Sequence, residues 1–283
     1  MANERTVLVT GATGKQGGAT ARALAGRGFT LRAMTRNPDS DAAKAVASAT
    51  GAALVRGDLN DAASLKDALK GAWGVFAVQN TWEAGVAGEE EQGKRIATLA
   101  REAGVQHFVY TSVGSAHRKT GIPHFENKYR VEDTIRELGF PSHVILRPVF
   151  FMENLVSPWF LNGDTISAAM PPALTLQMIA TSDIGRHAAR AFTEAETLNR
   201  REIDLAGDAA TMPEAAAALS RGLGRAISFA QIPISEVRKN SEDFAAMLEW
   251  FERVGYDVDI AGLERESGIR PTTLDEWAAT QKV

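Results

Sequence analysis

The chain of 283 residues contains no cysteine, which removes disulfides, thiol nucleophiles and thiolate metal sites from its chemistry. It has no basic run of the kind that forms a nucleic-acid arm or a polybasic anchor, and 31 basic against 35 acidic residues give a formal charge of -4. Direct nucleic-acid binding is therefore not expected. No apolar run approaches membrane-spanning length and no signal-peptide core precedes the first strand, so a cytoplasmic protein without membrane contact is the expectation. His107, His143 and His187 are scattered singly without a second ligand at metal spacing, and no metal site is expected. A GxSxG elbow is also missing, which argues against a hydrolase of that type. What remains, with 45% hydrophobic and 23% charged residues, is the composition of a folded α/β domain, with or without a smaller appendage.

Against those absences stands the stretch TVLVTGATGKQGG at residues 6–18. Residues 6–10 are a β-branched and aliphatic run of strand length, and the small, apolar residues 19–25 read as a helix. Between them, Gly11 permits a tight exit from the strand, Gly14 lets a pyrophosphate approach the backbone, and Gly17 lets the helix lie close to the sheet. Ala12, Thr13, Lys15 and Gln16 fill out the same loop. The helix start offers unpaired N–H groups and partial positive charge to phosphate oxygens. The GxxGxxG spacing differs from the commoner GxGxxG form, but its place between strand and helix points to a dinucleotide site.

A second strand over 30–34 ends in Thr35, Arg36, Asn37 and Pro38. No acid waits there for a ribose 2′-hydroxyl, whereas Arg36 suits a 2′-phosphate, so NADP(H) is favoured over NAD. After a third strand at 53–56, Asp58 beside Leu59 either accepts from an adenine amino group or caps the next helix, for which Asn60 or Asp61 also serves. A fourth strand at 73–78 leads to Gln79, Asn80 and Thr81, at the sheet edge where ligands lie. Residues 89–103 read as an amphipathic helix whose acidic start, Glu89 to Glu91, suits the helix dipole and is taken as structural. A fifth strand at 107–110 runs into Thr111 and Ser112, and helix 127–138 and strand 143–147 follow.

This alternation predicts an α/β fold, a doubly wound parallel sheet (Rossmann) over residues 1–150. Residues 151–283 are expected to form a smaller C-terminal α/β lobe closing the ligand cleft. The boundary is approximate, with the chain crossing back to the sheet. A strand at 202–205 is assigned to that lobe, and a terminal helix at 272–281 docks through Leu274 and Trp277. Phe150, Phe151, Trp159 and Phe160 either line the pocket or form interlobe core.

TGATGKQGG, TRNP (35–38), GDL (57–59), NTWE (80–83), EQGK (91–94), HFENK (124–128), FMENL (151–155) and PTTLDEW (271–277) together cover nearly the whole chain. In these motifs the sequence resembles the NmrA-like members of the atypical short-chain dehydrogenases/reductases. The resemblance implies NADP(H) binding and carries Phe151, Met152, Glu153 and Asn154 to the cofactor site. In active short-chain reductases a YxxxK pair does proton chemistry, the lysine lowering the phenol's pKa. Here Lys128 matches and His124 stands where the tyrosine would be. Lys128 is thereby implied to reach the nicotinamide ribose, while His124 is either a proton donor or a polar loop residue. Tyr129 is out of register, and Ser112 either supplies a hydroxyl or merely ends its strand.

Some relatives of this kind sense redox state and contact regulatory protein partners, and related bacterial proteins reduce quinones. Loss of the tyrosine favours a redox-state sensor or regulator. The alternative is an NADPH-dependent oxidoreductase acting on a quinone or a similar small acceptor. Enzymatic turnover and a homodimer are both left open.

Overall fold

Strand β1 (Arg5–Val9) turns Val7 and Val9 to one face of a sheet and Leu8 to the other, and all three are fully buried. Such alternation between two apolar faces demands a helical layer on each side. The computed structural model describes residues 5–282. After β1 come α1 (Lys15–Leu24), β2 (Phe29–Thr35), α2 (Asp41–Thr50), β3 (Ala53–Arg56), α3 (Ala62–Leu69), β4 (Gly74–Ala77), α4 (Thr81–Glu102), β5 (His107–Thr111), α5 (Pro123–Leu138) and β6 (Ser142–Pro148). The remainder carries β7 (Phe150–Phe151), β8 (Leu161–Asn162), β9 (Thr165–Ala168), β10 (Thr175–Ile179), α6 (Thr181–Thr193), β11 (Glu202–Leu205), β12 (Asp208–Thr211) and α7 (Met212–Leu223). It closes with β13 (Ser228–Gln231), α8 (Ile234–Asn240), α9 (Glu242–Arg253), α10 (Ile260–Ser267) and α11 (Leu274–Ala278).

The central sheet has seven strands in the order β11-β6-β5-β4-β1-β2-β3. Every neighbouring pair is parallel. Helices α1, α2 and α6 pack on the face of Val7, Val9, Phe76 and Val109, and α3, α4 and α5 on the face of Leu8, Val75, Phe108 and Ile145. Strand order reverses between β1 and β4, so the connections from these two strands leave in opposite directions. The crevice beyond their carboxyl ends is where open α/β sheets take ligands.

Strand β11, expected in the small lobe, is instead the edge strand of the main sheet, paired with β6 through Glu202 opposite Ile145. Helix α6, which precedes it, lies on α1. The approach is so close that a Cβ on Gly185 would stand 2.6 Å from the backbone of Ala19. The chain thus leaves the Rossmann layer after β6 and returns to it. Two three-stranded sheets, β12-β10-β7 and β13-β9-β8, lie outside that layer. With α7, α9 and α11 they bury Met152, Phe160, Leu219, Trp250, Phe251 and Trp277 in a core of their own. Leu274 and Trp277 dock the terminal helix as their apolar spacing implies.

Three helix starts lie at least four residues before their expected positions. Helix α1 begins at Lys15, inside the glycine loop. Helix α5 begins at Pro123, which fits the first turn of a helix because it has no N–H to satisfy, and so places His124 on the helix rather than in a loop. Helix α4 begins eight residues before Glu89, where the Asn80 side chain accepts from Trp82 N–H at 3.1 Å. It is broken once, at Gly85, with φ 72° and ψ 168°. Counted from that break, Glu89 stands in the first turn of the longer segment, where an acid suits the helix dipole, but its side chain is buried and paired with Lys128 rather than solvated.

Candidate functional site

The crevice at the switch point is a cleft of about 780 Å³. Its floor is the glycine loop. Gly11 has φ +56°, where a side chain is strained, and its carbonyl accepts from Gly14 N–H at 2.8 Å to close the turn. A Cβ on Gly17 would meet that same carbonyl at 2.2 Å, so only glycine lets the loop fold back onto α1. Gly14 is the N-cap of α1 and supplies no side-chain acceptor, leaving the first amides of the helix without a capping partner. Thr111 Oγ1 donates to Gln16 Oε1 at 2.7 Å, tying the loop to the end of β5. Lys15 Nζ donates to the Glu153 carbonyl at 3.3 Å across the cleft.

At one end of the cleft lie Arg36, Asn37, Gly57, Asp58 and Leu59. Asp61, not Asp58, caps α3, accepting from Ala63 N–H at 2.9 Å. The Asp58 carboxylate closes only a local turn with Asn60 N–H, at 2.9 Å. Arg36 reaches across the cleft to Glu83, Nη2 to Oε2 3.1 Å.

At the other end Lys128 Nζ donates to Glu89 Oε1 at 2.6 Å. Glu89 is 1% exposed, and its second oxygen accepts from Thr81 Oγ1 and, at 3.1 Å, from Asn127 Nδ2. Burial pushes this carboxyl up, but the Lys128 charge and these hydrogen bonds outweigh burial and hold it below the ordinary carboxylate range. His124 is buried, and its Nδ1 stands 2.6 Å from Asp243 Oδ2, close enough for an ion pair although not aligned as a hydrogen bond. The other oxygen of Asp243 accepts from the His124 backbone N–H at 2.9 Å. Trp82 and Phe244 line the cleft here, with Trp82 5.8 Å from the His124 ring, and Trp159 packs behind them, 6.1 Å from Trp82. The two indoles are 56% and 64% exposed, which is unusual for side chains of that size.

Most of the residues expected at a cofactor line this cleft: Gly11, Thr13 to Gly17, Arg36, Asp58, Leu59, Gln79, Asn80, Thr81, Lys128, Phe151 and Asn154, with His124 beside them. Three do not. The side chain of Ala12 is in the sheet core and that of Met152 in the lobe core. The carboxylate of Glu153 faces away, accepting from Thr181 N–H at 3.0 Å, Thr181 Oγ1 at 2.7 Å and Trp277 Nε1 at 3.3 Å, so that it joins α6 to α11. Tyr129 lies outside the cleft, its ring under the guanidinium of Arg136. The cleft's one tyrosine among the described residues is Tyr256, whose hydroxyl burial pushes far up and keeps protonated.

The residues that sequence reasoning missed are Glu89, Asp243, Trp82 and Glu83. Glu89 carried a readable signal, since it falls on the apolar stripe of α4 with Gly93, Ile96, Ala97 and Ala100, and an acid on a buried stripe requires a partner. Asp243 carried none. It is in the first turn of α9, where acids are common, and its partner is 119 residues away. Among the described residues, no cluster of three or more potential ligands could hold a metal ion, and no helix is long and apolar enough to cross a membrane.

The sequence pattern of the NmrA-like family matches residues 3–278. The NmrA-like family domain-containing oxidoreductase FrzB of Cladobotryum sp is 36% identical over 162 residues, 53% of this chain and 48% of FrzB. The chain thus spans about half the length of this curated relative. Among solved structures, the Citrobacter sp. triphenylmethane reductase complexed with NADP(H) superposes with a TM-score of 0.80 at 22% identity, covering 99% of this chain and 100% of that one. The negative transcriptional regulator NmrA in complex with NAD gives 0.79 at 22% identity, covering 98% and 95%. At such identities the likeness bears on the fold alone.

Proposed function

The chain belongs to the NmrA-like family, and from that premise we propose that it is an NADP(H)-dependent oxidoreductase that reduces a flat, conjugated acceptor of the quinone type. The observation that carries this reading is the position of His124: buried in the cleft, backed by Asp243 and walled by aromatic rings. A polar loop residue would have neither the carboxylate nor the burial. The cleft itself suits a dinucleotide. Gln79 and Ser112, both in its wall, bury polar side-chain atoms with no partner in the protein, and such atoms cost about 1–3 kcal/mol each unless a ligand or water satisfies them.

In this reading the loop 11–17 and the start of α1 hold the pyrophosphate, and Arg36 takes the 2′-phosphate. Asp58 and Leu59 flank the adenine, and Gln79, Asn80, Thr81, Phe151 and Asn154 border the path between the two ends. Lys128 holds the nicotinamide ribose while Glu89 fixes its direction. The cofactor, when bound, supplies a hydride. With Nδ1 of His124 against Asp243, Nε2 is the nitrogen left to exchange a proton with an acceptor oxygen. Trp82, Phe150, Phe151 and Phe244 offer faces on which a planar acceptor stacks.

Steady-state NADPH oxidation over a panel of quinones and aldehydes tests this. Quinones should turn over. His124→Ala should lower that rate by less than the roughly 10²-fold that general acid catalysis contributes, because the hydroquinone anion is delocalised. Aldehydes and ketones, which localise charge on oxygen, should be poor. No turnover with any acceptor, together with tight NADPH binding, would count against the enzyme and for a second reading, a redox-state regulator of a protein partner. That reading is favoured by the ion pairs Arg36–Glu83 and Lys128–Glu89, which occupy two cofactor-facing cations and would rearrange with cofactor state.

A further inference from the structure

Residues 81–84 form a single helical turn cut off from the body of α4 by the break at Gly85. Its side chains reach three parts of the cleft. Glu83 Oε2 is 3.1 Å from Arg36 Nη2. The Trp82 ring packs 5.8 Å from His124 and 5.9 Å from Phe244. Thr81 Oγ1 donates to Glu89, the partner of Lys128. One hinged turn therefore touches the phosphate-reading arginine, the acceptor mouth and the ribose-holding lysine.

We propose that Glu83 is a latch on the phosphate-reading arginine of this cleft: it holds Arg36 until a 2′-phosphate displaces it, and its release moves the 81–84 turn and with it the Trp82 wall of the acceptor site. The proposal rests on the NADP(H) reading above. Glu83 and Arg36 side chains are 58% and 69% exposed, and a pair that open to water contributes little, so a phosphate dianion with bidentate geometry outcompetes one carboxylate. Once phosphate is on the guanidinium, the Glu83 carboxylate faces a like charge and is repelled. A ribose 2′-hydroxyl brings no charge, and the pair stays closed. Asn80, which donates to Glu83 Oε1 at 3.3 Å and accepts from Trp82 N–H, anchors one end of the turn while Gly85 hinges the other.

Calorimetry with NADPH, NADH, 2′-AMP and 5′-AMP on the wild type, Glu83→Gln and Arg36→Ala reads the first half of the proposal. Acrylamide quenching of tryptophan fluorescence, with Trp82→Phe subtracted, reads the second. Glu83→Gln should bind NADPH and 2′-AMP about two- to fivefold tighter, the worth of an exposed ion pair, with NADH and 5′-AMP unchanged. NADPH should change Trp82 quenching in the wild type and NADH should not. An unaltered NADPH to NADH ratio in Glu83→Gln, with the preference lost in Arg36→Ala, would overturn the role of Glu83 while leaving the cofactor assignment standing. A Trp82 signal that responds equally to both cofactors would overturn the coupling. Binding of neither cofactor to the wild type would remove the NADP(H) reading and the proposal with it.

Discussion

Replacing Lys128 by methionine isolates the energetics of the Lys128–Glu89 end of the cleft. The side chain it leaves behind, Glu89, is 1% exposed, and the lost contact is 2.6 Å long. Removing one partner of a buried pair costs about 3–5 kcal/mol because the survivor is an uncompensated charge. Glu89 keeps its hydrogen bonds from Thr81 and Asn127, so the lower end, about 3 kcal/mol, is expected at about pH 7. The pH dependence gives the sign. In the native protein the Glu89 carboxyl lies below its ordinary value of 4.5 despite burial, so its contribution is present above that value and is lost as pH falls through the lower folded one. Without Lys128 the burial effect prevails and the carboxyl is driven up instead. Ionised Glu89 then opposes folding near neutrality, and acid relieves it. The stability deficit of Lys128→Met should therefore shrink between about pH 7 and about pH 5, and Glu89→Gln in the same background should recover most of it. Urea unfolding followed by circular dichroism measures the wild type, Lys128→Met and the double variant at both pH values. A deficit below about 1 kcal/mol near pH 7, the worth of an exposed pair, or one that grows on acidification, would refute the reasoning.

Gly17→Ala puts a Cβ 2.2 Å from the Gly11 carbonyl and should cost about 1–3 kcal/mol or more in thermal unfolding, as overpacking does; an unchanged melting temperature would mean the loop relaxes freely. Gly14→Val is gentler, its Cβ 3.3 Å from the same carbonyl, and should fold but lose NADPH binding by calorimetry. Arg36→Ala should reduce the preference for NADPH over NADH by about tenfold, or 1.4 kcal/mol, one charge-assisted contact; a preserved preference would place the phosphate elsewhere. His107 and His187 are each held to a pKa of about 4, chiefly by burial. Their stability contribution is complete above the ordinary value of 6.5 and is lost as pH falls toward the folded value. Proton NMR should find both rings neutral at about pH 5.5, and a midpoint near ~6.5 for either would contradict its burial.

The local signals were the legible ones. A strand such as 6–10 declares itself by composition, a helix end by Gly139, which caps α5 with φ 59°, and a tight turn by Gly11, because these preferences act between neighbours in the chain. The glycine loop and Arg36, both in the cleft wall, belong to the same class, since one short segment supplies the loop and the next strand end supplies the cation. Helix α4 shows where local signals mislead: the acids Glu89 to Glu91 read as the start of the helix, yet the Asn80 cap opens a turn before the break at Gly85 and Glu89 is drawn into the cleft.

Whether a charged residue is solvated or paired, by contrast, was set by contacts between distant segments. Glu89 meets Lys128 across 39 positions, Arg36 meets Glu83 across the sheet edge, and His124 meets an acid that only the folding of α9 over the cleft brings near. The same holds for β11, whose residues suit an edge strand of either sheet. Pairing with β6, and the passage of α6 over α1 that Gly185 allows, placed it. Sequence alone determined the α/β units, the glycine loop between the first strand and helix, and the presence of His124 four residues before Lys128. Only the tertiary structure decided that His124 is buried against Asp243 and that Glu89 belongs to the site, because desolvation and pairing are properties of the packed whole.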